Sequence, residues 1–142
     1  MTKPDPQLSD YPIHASDKVR FSDTDKFGHV SNAVFAVYLE TGRGEFLHGG
    51  NDDLADPGCH FVLARTEIDY LSEIHWPGEV QSGLAVEKIG RSSVTFQQSL
   101  FQDGKLCAAA TSVLVHFDAQ TRSSKPLSDK AKTRIGAFLR GG

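Results

Sequence analysis

The chain has little cysteine, only Cys59 and Cys107 in 142 residues. Two thiols far apart in sequence exclude a disulfide framework, so both are read as reduced. Neither makes a convincing nucleophile: Cys107 lies in an apolar run, and the adjacency of Cys59 and His60 proves no contact in space. Also missing is any apolar stretch near the roughly 20 residues that a membrane-spanning helix needs. The first ten residues are polar, hold Pro4 and Pro6, and lack the apolar core of a signal peptide, so a cytoplasmic protein is expected. There is no excess of positive charge. With 15 basic and 18 acidic residues the net charge is −3, which argues against nucleic acid as the main partner, because phosphate binding there needs a net basic face. A local basic cluster around one phosphorylated ligand remains compatible with that balance. The six histidines (14, 29, 48, 60, 75 and 116) show no metal-ligand spacing such as H-E-x-x-H, and no glycine-rich loop has a phosphate-cradling pattern. No metal or redox cofactor is expected.

What is present suits one globular domain over residues 1–142, with 39% hydrophobic residues to form a core. The N-terminal tail is expected to be loose to about residue 12, and Gly141–Gly142 to fray. Residues 17–22 read as a short strand running into the turn-rich segment Ser22–Gly28. The unbroken apolar run Ala33–Leu39 then predicts a helix over about 30–48. A helix apolar around most of its circumference must be buried on several sides. Gly42 and Gly44 weaken its second half by up to about 1 kcal/mol each relative to Ala.

After residue 58 the apolar period changes to two. Val62, Ala64, Thr66, Ile68 and Tyr70 fall on one face of a strand, with Arg65, Glu67 and Asp69 opposite. Residues 79–89 make a second strand, with Val80, Leu84 and Val86 on one side. Val94, Phe96 and Leu100 alternate with Ser93, Thr95, Gln97 and Ser99 in a third. Asp103–Gly104 is a strong hairpin signal leading into strand 105–117, which is apolar on both faces and must be covered on both. Trp76, before Pro77–Gly78, reads as a packed turn residue. A final amphipathic helix over about 128–139 aligns Leu127, Ala131, Ile135 and Phe138. Four consecutive strands joined by short turns predict an antiparallel sheet wrapped around the long helix, an α+β class. A homodimer would cover the sheet's second apolar face.

The segment Val19–Arg43 carries Asp23-Thr24-Asp25, Gly28-His29-Val30, Asn32, Phe35, Tyr38, Glu40 and Arg43 in order. This pattern resembles the signature of hotdog-fold thioesterases related to 4-hydroxybenzoyl-CoA thioesterase. The stretches Glu67–Leu71, Gly78–Glu79 and Gly90–Val94 are similar to that family too, so the resemblance covers roughly residues 17–130. Ser31 departs from it, standing where many relatives carry a second Asn. The resemblance implies a hotdog domain, a homodimer or homotetramer, hydrolysing acyl-CoA to a free acid and CoA at a subunit interface. It makes Asp25 catalytic and puts the carbonyl-polarising backbone amide near Asn32. Relatives use basic and hydroxyl residues where Arg91, Ser92, Ser93, Arg122, Ser124 and Lys125 stand here to hold the nucleotide and phosphates of CoA; solvated strand ends are the alternative.

The residues themselves agree with that chemistry. Thioester hydrolysis needs a nucleophile or base beside the carbonyl carbon and donors for the oxygen as charge develops. A helix N-terminus supplies unpaired N–H groups and partial positive charge. Asp25 precedes one, and Gly28 lets the backbone turn closely. Asp25 either attacks directly or activates water. An Asp-Thr-Asp run before a helix can also be a plain capping loop. Asp23 is read as a structural hydrogen-bonding partner, and His29 as either lining the site or packing beside it. Glu40 and Arg43, three apart, form most simply a helix-face pair. An acyl-acyl carrier protein thioesterase and a non-catalytic acyl-CoA-binding hotdog protein are the rival readings; a hotdog dehydratase lacks its usual histidine environment.

Overall fold

The computed structural model describes residues 5–50 and 53–140. The expected fraying of Gly141–Gly142 and the first four residues of the expected loose tail lie outside these. Six strands and two α-helices follow in the order β1 (Ile13–Val19), α1 (Asn32–His48), β2 (Cys59–Tyr70), β3 (Gly78–Ile89), β4 (Ser93–Gln102), β5 (Lys105–Asp118), the two-residue β6 (Ser123–Ser124) and α2 (Asp129–Gly136). The five longer strands form one antiparallel sheet in the order β1-β3-β4-β5-β2, and β6 pairs with the end of β5. This is the α+β hotdog architecture.

The strands β3, β4 and β5 form the expected meander. Asp103 and Gly104 turn the last hairpin with φ of 51° and 79°, the two positive values that a two-residue turn of this twist requires. Strand β2 departs from expectation. It pairs with β5 rather than with its sequence neighbour β3, which leaves it at the sheet edge. A bulge between Leu63 and Arg65 also shifts its register. Pairing with inward-facing His116, Leu114, Ser112, Ala110 and Ala108 therefore brings Phe61, Leu63, Thr66, Ile68 and Tyr70 to the helix side. Val62 and Ala64 fall outside that face, because one extra residue reverses the alternation on its N-terminal side.

Helix α1 lies across the concave face. Phe35, Tyr38, Leu39, Gly42, Arg43 and Leu47 are buried, and Phe35, Tyr38 and Leu39 join Val19, Ile74, Val80 and Leu100 in one core cluster. The expectation of burial on several sides is not met within one chain: Ala33, Ala36 and Val37 face outward. Gly42 is explained by close approach, since a Cβ there would stand 2.8 Å from Ser82 Oγ and 3.0 Å from Leu84 Cδ1. Helix α2 closes the far end of the same face, where Leu127, Ala131 and Ile135 meet Leu84, Val86, Val94 and Phe96, with Phe138 packed alongside.

The tail is ordered earlier than expected. Tyr11 is buried against Phe101 and Ala85 on the outer face of the sheet, and its hydroxyl lies 2.5 Å from Ser99 Oγ. The first strand ends at Val19 rather than at residue 22, because Phe21–Asp23 form a 3₁₀ turn in which Asp23 Oδ2 accepts from the Arg20 amide. Strand β5 lies inside the sheet, between β4 and β2, and its outward residues Ala109, Val113 and Val115 are half-buried. Open apolar surface lies elsewhere: Val37 on α1, Leu63 and Tyr70 on β2 and Leu71 just after it, each about half exposed, with Phe21 and Phe27 before α1 more exposed still.

Glu40 and Arg43 do not form the expected surface pair. Arg43 turns inward, and its Nη1 donates to Gln98 Oε1 at 3.0 Å and Ser112 Oγ at 3.3 Å. Gln98 Nε2 donates to the Leu39 carbonyl, and Thr66 Oγ1 lies 3.1 Å from Ser112 Oγ. The network ties α1 to β4, β5 and β2 with polar bonds inside an otherwise apolar layer.

Candidate active site

The segment before α1 folds into a small hairpin. Thr24 and Val30 form a β-bridge, the Asp25 amide donates to the His29 carbonyl at 2.9 Å, and the Gly28 amide donates to the Asp25 carbonyl at 3.1 Å. Gly28 has φ of +91°, a left-handed value that favours glycine. One carboxylate oxygen of Asp25, Oδ1, accepts from the Phe27 amide at 2.9 Å. Among the described residues the other oxygen has no hydrogen-bond partner, and the residue is exposed.

Asp23 is used differently. Its Oδ2 accepts both the Arg20 amide and the Tyr38 hydroxyl, the latter at 2.8 Å, while its carbonyl accepts the Ser31 amide. Burial, and then the neighbouring Asp23 carboxylate, push the Tyr38 hydroxyl well above its usual pKa. Tyr38 stays a neutral donor and Asp23 a fixed acceptor, as a structural role requires.

Ser31, the residue that departs from the family pattern, is the N-cap of α1 but makes no side-chain capping bond. Among the described residues, the amides of Asn32 and Ala33 at the helix start have no acceptor. They are the unpaired donors that an α-helix presents at its first turn. Beside them lies a cavity of about 260 Å³ lined by His29, Val30, Asn32, Phe35, Tyr70 and Glu73 among others. Asp25 does not line it. It is joined to it through its backbone bond to His29.

His29 lines the cavity and also belongs to a small cluster that sequence reading missed. Its Nε2 lies 3.3 Å from Glu73 Oε1, and His75 Nε2 lies 3.4 Å from Glu73 Oε2. His29 and His75 form a β-bridge, and the Val30 amide donates to the Ile74 carbonyl. Tyr70 donates its hydroxyl to the Asn32 carbonyl at 3.3 Å and packs edge-on against Phe35. Tyr70 stood out in sequence only within the Glu67–Leu71 stretch, and no local signal marks Glu73 or His75, since pairing across some 45 residues brings them here. Trp76 is half exposed rather than packed in a turn, its ring 5.1 Å from Phe21. Among the described residues no group of three or more His, Cys, Asp or Glu side chains is arranged to hold a metal ion.

The second set of candidates gathers at the other end of the sheet. Arg91 is exposed in the β3–β4 turn, and its carbonyl accepts the Leu127 amide; the Ser92 carbonyl accepts the His116 amide, and the Ser93 carbonyl accepts the Gly90 amide. Lys125 lies nearby, its amide bonded to the His116 carbonyl and its Nζ 3.1 Å from Asp56 Oδ2. Asp56 raises the Lys125 ammonium above its usual pKa, so this lysine is already engaged. Arg122 is exposed in a left-handed turn with φ of 58°. Buried His116 accepts the Asp56 amide at Nε2, and its Nδ1 lies 3.0 Å from the Lys125 carbonyl. The two sets are not brought together within one chain. The helix start is level with the Tyr70–Ala108 pair and the basic set with Phe61–His116, eight residues of β5 apart, or roughly 26 Å.

Cys107 is 1% exposed and burial raises its thiol pKa; Cys59 is half-buried. No helix among the described residues is long and apolar enough to cross a membrane.

Comparison with known proteins adds the family. Residues 19–135 match the model of the thioesterase-like superfamily. A thioesterase from Thermus thermophilus, solved in complex with coenzyme A and zinc, is 34% identical, with a TM-score of 0.79 over 94% of this chain and 98% of that one. A predicted thioesterase from Bacillus stearothermophilus is 28% identical, with a TM-score of 0.82 over 92% and 98%. The PA5185 protein of Pseudomonas aeruginosa, at 24% identity, shares the fold with a TM-score of 0.84 over 96% and 97%.

Proposed function

The chain belongs to the thioesterase-like superfamily, and from that premise we propose that it hydrolyses acyl-CoA thioesters to a free carboxylic acid and CoA, with Asp25 as the catalytic carboxylate. The observation that carries this reading is the contrast between two neighbouring acids. Asp23 Oδ2 accepts two donors, one of them the hydroxyl of buried Tyr38, whereas exposed Asp25 accepts only the Phe27 amide beside it, in the hairpin that leads to a helix start with two unpaired amides.

With the thioester carbonyl oxygen toward the Asn32 and Ala33 amides, charge developing on that oxygen meets N–H donors and the positive end of the α1 dipole. One such donor is typically worth about 2.7–4 kcal/mol in the transition state. Asp25 then attacks the carbonyl carbon and expels CoA thiolate, leaving an anhydride that water opens. The alternative route has Asp25 take a proton from water as that water attacks. Both routes end at the same acid and thiol, and neither calls for a cofactor. His29, held by Glu73, lines the acyl side of the site.

The two sets of candidate residues support a site shared between copies of the chain. Strand β2 is a 12-residue edge strand, and an open edge presents unpaired N–H and C=O groups that another strand can satisfy. Antiparallel pairing of two β2 edges around a two-fold axis sets the Tyr70 end of one copy beside the Cys59 end of the other. That is the end where Arg91, Ser92, Ser93, Arg122 and Lys125 lie. We therefore place CoA phosphate binding on the partner of the chain that supplies Asp25, in a cytoplasmic homodimer or homotetramer.

A panel of acyl-CoA thioesters, followed by release of free thiol with a protein blank for Cys59 and Cys107, tests the reaction. Turnover of at least one acyl-CoA is expected. Hydrolysis of acyl-carrier-protein thioesters alone would move the assignment to the carrier-protein rival, and binding without turnover of either would make the chain a non-catalytic acyl-CoA-binding protein.

A further inference from the structure

Arg43 is a cation with 5% of its surface exposed. Its Nη1 bonds go to two neutral groups, Gln98 Oε1 and Ser112 Oγ. Among the described residues no carboxylate lies within ion-pairing distance of it. Glu40, one turn away and exposed, is the acid that most favours its charged form, while burial opposes that form. A guanidinium has five N–H donors, and the protein engages one of its three nitrogens. Ser82 Oγ is the one fully buried side-chain polar atom without a partner among the described residues. The other Arg43 nitrogens are therefore not sealed in; they open onto space.

That space is a cavity of about 120 Å³ between α1 and β2. Val37, Leu63 and Ile68 are among its apolar walls, and Arg43, Glu40 and Thr66 are its polar members. It neighbours the active-site cavity along both elements, Ala36 after Phe35 on the helix and Ile68 two residues before Tyr70 on the strand, with the edge-on Phe35–Tyr70 contact between the two. Gln98, which holds the guanidinium, also holds the Leu39 carbonyl, so the charge sits near the level of Leu39. From Asn32 to Leu39 is seven helical residues, about 10 Å, the reach of an extended acyl chain of roughly eight carbons.

Resting on the proposed thioester hydrolysis, we infer that Arg43 is a specificity-determining residue: the α1–β2 groove takes acyl groups that carry a carboxylate at the end remote from the thioester. The apolar walls accommodate the methylene chain, and the terminal carboxylate meets a cation that forms no ion pair within the described residues, exposed Glu40 acting on it only at longer range. A buried charge is costly when unpaired, so the ligand supplies the missing half of an ion pair. An Arg43 that only ties the helix to the sheet would affect stability and treat all acyl groups alike.

The test compares octanoyl-CoA with the CoA monothioester of octanedioic acid, which differs only by the terminal carboxylate. Wild type is expected to favour the latter by about tenfold in kcat/KM, the scale of one charge-assisted bond. In Arg43→Gln the ratio should fall to near unity, and in Arg43→Lys it should stay between the two. Equal kcat/KM of wild type on both thioesters overturns the inference, whether or not either variant folds. So does a ratio that persists in a folded Arg43→Gln protein. Failure to hydrolyse any acyl-CoA strikes the proposed function instead, and the two failures are distinguishable.

Discussion

The Tyr38 hydroxyl donates to Asp23 Oδ2 at 2.8 Å, across fifteen residues of sequence, and fastens α1 to the turn that leads into the segment carrying Asp25. Burial and the Asp23 carboxylate hold that hydroxyl neutral far beyond its usual titration range. The Tyr38 hydroxyl therefore keeps the proton it donates well above neutral pH.

Tyr38→Phe should cost about 1–2 kcal/mol of stability, the net worth of one such bond plus a carboxylate left with fewer donors. Asp23→Asn should likewise lower the melting temperature and reduce turnover less than the same change at Asp25. Calorimetry and steady-state rates on the two Asp→Asn variants decide it. A larger turnover loss at Asp23 than at Asp25 would mean that the roles are reversed.

The thiols should differ in reactivity. Burial raises the Cys107 pKa and leaves 1% of its surface exposed, so at a given pH it carries less thiolate than an ordinary cysteine. An aromatic disulfide reagent should label Cys59 in the native protein and Cys107 only on denaturation. Equal native rates would contradict the packing of β5.

Arg91→Ala tests the partner-supplied phosphate site. An exposed cation that binds ground and transition states alike should raise KM and leave kcat nearly unchanged. The penalty should apply to acyl-CoA, not to acyl-pantetheine, and shrink with salt because rim charges are screened within about 8–10 Å. Wild-type behaviour that is identical on both substrates would remove CoA recognition from the account.

The open apolar surface on α1 and β2 should be covered in solution. Light scattering at micromolar concentration should report at least a dimer whose partner roofs the groove that Val37 and Leu63 wall, and Val37→Lys should shift the protein toward monomer and lower acyl-CoA turnover together. A wild-type monomer that hydrolyses acyl-CoA would contradict both the interface and the shared site.

The parts of the fold legible in the sequence were those set by local pattern. The alternation of Val94, Phe96 and Leu100, the Asp103–Gly104 turn and the α2 stripe all stand where the residues put them. Pairing between distant segments was not legible. The bulge between Leu63 and Arg65 left no mark in the residue pattern and reversed the first half of β2. The position of β2 beside β5 depends on a crossover that no turn residue announces. Arg43 looked like a surface charge because a sequence cannot show Gln98 and Ser112 waiting beneath it. The Asp23-Thr24-Asp25 motif was visible, but the different bonds that its two acids make were not.

Turnover by Asp25→Asn decides whether this carboxylate drives hydrolysis. The substitution keeps the side-chain shape and an oxygen for the Phe27 amide while removing the charge. If Asp25 is the nucleophile or base, kcat on the best acyl-CoA should fall by about a hundredfold or more, with the melting temperature close to that of wild type. A folded Asp25→Asn protein that turns over acyl-CoA at a near-normal rate would contradict the account.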